Sequence, residues 1–136
     1  MGINMSMNSM AEDASDAMKT QLRRDLRAAM KRGDKVETSL LRQLVAALDN
    51  AQAAPLRDER PSIDRHAFSD RSAEGERRAL TPGEVHDLML GEMNARVEAA
   101  AASARSGAKA RSAALEAEVE ILRRYVQQLP QAQYES

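Results

Sequence analysis

Cysteine and tryptophan are absent from the chain, and its aromatic residues amount to one Phe and two Tyr. Without cysteine there is no disulfide framework, no thiolate zinc site and no cysteine nucleophile. The scarcity of aromatics, and the lack of any period-two run of Val and Ile, leave nothing from which strands would be built. No apolar stretch approaches the length of a membrane span. The first seventeen residues show neither the basic start nor the apolar run of a secretory signal, so a cytoplasmic protein without membrane contact is expected. No glycine-rich phosphate loop, serine-centred elbow or Ser–Lys pair in a recognisable context occurs. The expectation is a chain with no catalytic residues, no cofactor and no metal.

What is present is 136 residues, 43% of them apolar, matching one domain with a core of Ala, Leu, Met and Val. Net charge is −1, too small to draw the whole molecule toward nucleic acid or anionic lipid. The charge is uneven, however. Residues 16–34 hold six basic and three acidic residues, whereas 81–106 hold two basic and four acidic. The first helical segment is thus the one clearly basic element.

Periodicity predicts four helices, near 16–32, 34–54, 82–105 and 108–129. Residues 1–15, with four of the eight methionines and no period, read as a disordered tail. In the first helix, capped by Ser15 or Asp16, the residues Met18, Leu22, Leu26, Ala29 and Met30 share one arc. Gly33 stands where a left-handed residue ends a helix, and Asp34 with Glu37 forms a capping-box-like restart. Val36, Leu40, Leu41, Leu44, Val45, Ala47, Leu48 and Ala51 cover nearly half of the second helix, making it central. Residues 55–80, with six Arg and six acidic residues, have no apolar period and read as a long mobile loop. Thr81-Pro82-Gly83-Glu84 is a capping box that opens the third helix. That helix aligns Val85, Met89, Met93, Val97, Ala100, Ala101 and Ala104 before Gly107 breaks it. The fourth helix presents Leu115, Val119, Leu122, Tyr125, Val126 and Leu129, and 131–136 form a tail beyond Pro130. The fold class expected is all-α: a small four-helix bundle of paired antiparallel hairpins within 16–130.

Few residues invite chemistry. His66 falls in the loop. His86 lies near the apolar row two residues from Glu84, a spacing that points the two apart on a helix, so packing suits it better than metal binding. Glu116, Glu118 and Glu120 alternate and therefore splay to different faces. Glu118 alone turns toward the apolar side, where Arg42 or a backbone group would satisfy it. Tyr125 suits the core, with its hydroxyl at the rim.

The basic row has more functional content. Lys19, Arg23, Arg27 and Lys31 follow one another at intervals of four, with Arg24 beside them. All four are expected to point outward along about 20 Å of helix, where they can track phosphates. The other reading is a solvated face whose stems cover the edge of the core. No aromatic is interleaved for base stacking.

Three stretches, in order, resemble a known family. They are Leu22-Arg23-Arg24-Asp25-Leu26-Arg27-Ala28-Ala29-Met30-Lys31-Arg32-Gly33-Asp34-Lys35, then Leu40-Leu41-Arg42-Gln43-Leu44-Val45-Ala46-Ala47-Leu48, and Glu116-Ala117-Glu118-Val119-Glu120-Ile121-Leu122-Arg123-Arg124-Tyr125. Thr81-Pro82-Gly83-Glu84-Val85 also stands where that family starts its third helix. The pattern is similar to the GatB/YqeY family, small proteins related to the tail domain of the tRNA-dependent amidotransferase B subunit. The loop at 55–80 is longer than the family's, and the sequence given lacks the smaller helical domain that usually follows the proline. The resemblance implies a non-catalytic helical module that associates with tRNA or with tRNA-handling, amidotransferase-type machinery. The alternative is a protein–protein interaction domain or a homo-oligomer with no nucleic-acid role.

Overall fold

A computed structural model describes residues 14–53 and 78–129. The described residues form four helices and no strand: α1 (Ala14–Arg32), α2 (Lys35–Ala53), α3 (Pro82–Arg105) and α4 (Lys109–Gln128). α1 pairs with α2 and α3 with α4, each hairpin packing mainly within itself, so the structure is a small all-α bundle of antiparallel hairpins. α2 touches all three other helices, as a stripe of that width demands.

Both hairpins turn on the same device. Gly33 has φ 74°, its N–H donates to the Met30 carbonyl at 3.1 Å, and the Asp34 N–H donates to the Ala29 carbonyl at 3.0 Å. Gly107 has φ 86°, and the Gly107 and Ala108 N–H groups donate to the carbonyls of Ala104 and Ser103 at 3.1 and 2.8 Å. These paired bonds satisfy carbonyls that a helix end leaves without partners, and the left-handed φ favours glycine.

The starts of α2 and α3 differ. At α3 both halves of the capping box form: Glu84 N–H donates to Thr81 Oγ1 at 3.0 Å and Thr81 N–H to Glu84 Oε1 at 2.9 Å. At α2 only half forms. Asp34 Oδ1 accepts from the Glu37 N–H at 3.0 Å, but the Asp34 N–H is already committed to the turn, and Glu37 instead binds Arg32 at 2.8 Å.

α1 starts earlier than the sequence suggests. Ser15 lies inside the helix and is fully buried rather than capping it. The rest of the expected tail (1–13), the last residue expected in the second helix (54), most of the expected loop (55–77, with His66) and the C-terminal tail lie outside the described residues. Residues 78–80 belong to the packed structure. The Arg78 N–H donates to the Gln52 carbonyl at 2.8 Å, and Leu80 is buried in the core.

The shared core is made by Met18 and Leu22 of α1, Leu40, Leu41, Leu44 and Leu48 of α2, Leu80, Val85 and Met89 near the start of α3, and Ile121, Leu122 and Tyr125 of α4. Leu26 and Met93 are half-buried against it. Ala100, Ser103, Ser112 and Leu115 are buried outside this cluster, between α3 and α4, where Ser112 Oγ donates to the Ala100 carbonyl at 3.0 Å. Three residues expected on apolar arcs are open to solvent: Met30 (50% exposed), Val36 (37%) and Val97 (46%). Ala101 and Ala104 are exposed as well. No neighbouring helix covers these side chains, although each falls on the apolar arc of its own helix.

Candidate nucleic-acid interface

The basic row on α1 divides into two parts. Residues four apart on a helix advance about 40° around the axis at each step, so a row of four sweeps roughly 120°. Its first member therefore meets the boundary with α2. Lys19 is 5% exposed, and its ammonium donates to Asp49 Oδ1 at 2.7 Å and to Gln52 Oε1 at 2.6 Å. Asp16 Oδ1 lies 3.8 Å away. The expectation that Lys19 points outward is thus corrected: it ties α1 to α2. Arg23, Arg24, Arg27 and Lys31 are exposed, as the pattern required. Arg24 Nε sits 3.6 Å from Asp25 Oδ1, whereas Arg23, Arg27 and Lys31 have no ion-pair partner among the described residues.

On its α4 side the basic face ends in a polar seam. Tyr125 Oη donates to Asp25 Oδ2 at 2.5 Å, and Gln21 Nε2 donates to Gln128 Oε1 at 2.9 Å. These bonds bring Arg124 and Tyr125 beside α1. A cleft of about 350 Å³ opens there, lined by Asp25, Ala28, Arg32, Glu37, Arg124, Tyr125 and Gln128. Burial holds the Tyr125 hydroxyl above its ordinary proton affinity, and so do the bond to Asp25 and the charges of Asp25 and Glu37, with Arg124 opposing. The cleft's two carboxylates balance its two guanidiniums, so it adds no net charge to the positive outer face of α1.

The acidic row of α4 is structural where it is buried. Arg96 of α3, its side chain 11% exposed, donates through Nε to Glu118 Oε1 at 2.7 Å. Its Nη1 donates to the Glu92 carbonyl and to Glu92 Oε1, both at 2.9 Å, and its Nη2 to Gln43 Oε1 at 2.8 Å. Burial alone would lower the proton affinity of Arg96, but the bonds and charges of Glu92 and Glu118 outweigh it and the net shift is upward. The partner of Glu118 is therefore Arg96 rather than Arg42, which is exposed and reaches only the Met30 sulfur at 3.9 Å. Glu116 and Glu120 are exposed, and Glu120 pairs with Arg123 at 3.4 Å. His86 is 9% exposed, with Nδ1 3.6 Å from Asp87 Oδ1, while Glu84 faces Thr81 and Arg78. Among the described residues no three His, Cys, Asp or Glu side chains gather as a metal site would need, and no helix is long and apolar enough to cross a membrane.

Comparison with protein-family models, with curated proteins and with solved structures finds no match. The arrangement is therefore read from its own residues. Arg96 is the largest omission of the sequence reading, yet it had a signal. It sits at helical spacing between Met89, Glu92 and Ala100, inside the apolar arc of α3, where an arginine needs a buried acid. Asp49 had a weaker one, one residue past Leu48 on the edge of the α2 stripe. Arg124 carries no local signal, because its place beside α1 depends on how the hairpins dock.

Proposed function

We propose that this chain is a non-catalytic helical module that binds tRNA, or a tRNA-handling enzyme of the amidotransferase type, through the outer face of α1. The observation that carries this reading is the exposure of Arg23, Arg24, Arg27 and Lys31, three of them without an ion pair among the described residues. A protein with net charge −1 that keeps four exposed cations together on one helix face presents phosphates with an attractive surface there. The ordered likeness of α1, α2 and α4 to the GatB/YqeY family gives the same direction.

The test is binding of labelled tRNA followed by fluorescence anisotropy at low salt. Reversing Arg23, Arg27 and Lys31 to Glu should abolish binding while helicity and melting stay almost unchanged, since exposed charges contribute little to folding. Reversal of Arg105, Lys109 and Arg111, exposed near the other turn, is the control and should matter far less. Failure of wild type to bind at low salt would sink the reading.

One observation favours a second reading, a protein–protein module. Val97, Ala100, Ala101 and Val119 line an open groove between α3 and α4, rimmed by Glu116, Glu120 and Arg123. Light scattering that shows a dimer, lost on Val97→Glu, would move this reading ahead.

A further inference from the structure

Three features of the α1 face bear on the form of RNA that it suits. The first is the lack of an available ring. Tyr125 is the one aromatic among the described residues, it is 5% exposed, and Asp25 holds its hydroxyl. Single strands are ordinarily held by bases stacking on exposed aromatic side chains, which repays the ordering of a flexible chain. Nothing described on this face offers that repayment.

The second feature is width. Asp25 and Glu37 bound the cationic surface on the α4 side, and Asp49 with Asp16 surrounds Lys19 on the α2 side. From Arg23 to Lys31 the exposed cations stand on the convex outer side of a helix rather than inside a groove that could thread a strand. The third feature is length. From Arg23 to Lys31 the helix rises about 12 Å, enough for its exposed cations to reach roughly three successive phosphates of one strand.

Resting on the reading of α1 as an RNA-binding face, we infer that it takes the phosphate backbone of a base-paired RNA stem, irrespective of base sequence. A stem presents its phosphates already ordered and at fixed spacing, so cations alone can hold it. Each phosphate neutralised on a duplex also releases more condensed counterion than one on a single strand, with salt slopes of about 0.9 against about 0.7. The A-form major groove is too deep and narrow for side chains to read, which leaves contact at the phosphates and the shallow minor groove. No base-edge readout is implied.

The test compares the full chain's affinity for two RNA hairpin stems of unrelated sequence and for polyuridylate of equal phosphate count, with whole tRNA alongside. Both stems should bind alike and at least about tenfold tighter than polyuridylate, the scale of one missing stacking contact. With three to four phosphates engaged, stem affinity should fall by about 40- to 150-fold between about 50 and 200 mM salt. The triple reversal of Arg23, Arg27 and Lys31 to Glu should lose both stems together. Polyuridylate binding within tenfold of the stems, or a marked preference for one stem sequence, would overturn the inference and leave the tRNA reading standing. The same holds if tRNA binds and neither stem does. If tRNA also fails to bind, the parent reading falls with it.

Discussion

Replacing Arg96 by Met removes the guanidinium that joins three helices while keeping most of the side-chain volume. The loss has a structural scale. Arg96 makes four hydrogen bonds, to Glu118, to the carbonyl and carboxylate of Glu92, and to Gln43 across the hairpin interface. Bonds to charged groups contribute about 1.5–3 kcal/mol each when shielded from water. Glu92 is 33% exposed and can turn to solvent, so its share is small, whereas Glu118 at 19% is left as a carboxylate without its cation. Removing one partner of a fully buried pair costs about 3–5 kcal/mol, and this partly shielded one should cost about 2–4 kcal/mol. That is a large fraction of the few kcal/mol by which small domains are stable. Urea unfolding followed by far-UV circular dichroism measures it. Pairing Arg96→Met with Glu118→Met should recover part of the loss, giving a coupling of about 1–3 kcal/mol. Because the bridge is shielded, the coupling should change little with added salt. A single-mutant loss below about 1 kcal/mol, or a double mutant that is merely additive, would refute the reasoning and place Arg96 with ordinary surface ion pairs.

The remaining predictions concern the core, the first helix and pH. Leu44 is fully buried in α2, so Leu44→Ala should lower unfolding free energy by about 2–5 kcal/mol, and a near-zero loss would mean that the core lies elsewhere. Lys19→Met removes the donor bound to Asp49 and Gln52 and should cost about 1–3 kcal/mol, while Arg27→Met should stay within about 0.5 kcal/mol in the same assay. Tyr125 ionises at higher pH in the fold than the usual value of about 10, first because it is buried and then because it donates to Asp25. The stability tied to its neutral hydroxyl is whole below pH of about 10 and fades as pH rises beyond it, so unfolding curves taken across that range should fall more steeply for wild type than for Tyr125→Phe.

The helices were legible because their ends carry chemistry. Gly33, Gly107 and the Thr81–Glu84 pair mark stops and starts through backbone bonds made within a few residues, and the structure places all three where those bonds form. The core positions of α2 were legible for a similar reason, since an apolar stripe that wide has few ways to be covered. Exposure near the turns was not. Met30, Val36 and Val97 lie on apolar arcs, but whether another hairpin reaches that level depends on docking, which periodicity does not encode. Lys19 was misplaced because spacing by four was taken as a straight row, when the drift of the helix carries one end of it under α2. The outer-face cations from Arg23 to Lys31 were legible from the same spacing, and their exposure is what the functional proposal uses.

Both hairpins close over turns of a few residues, and the chain passes from one to the other once, between Ala53 and Arg78. Contacts within each hairpin are therefore cheap in loop-closure entropy, and most of that cost falls on bringing the pair together. Such a topology has low contact order, so each hairpin can form quickly before docking commits the core. Docking is an intramolecular encounter whose effective concentration is set by the connecting stretch. Severing that stretch would leave the four described helices intact and turn the last step of folding into a bimolecular one. The described structure is in effect two complementary hairpins joined once along the chain, with Arg96, Tyr125 and Leu80 as contacts by which each half recognises the other.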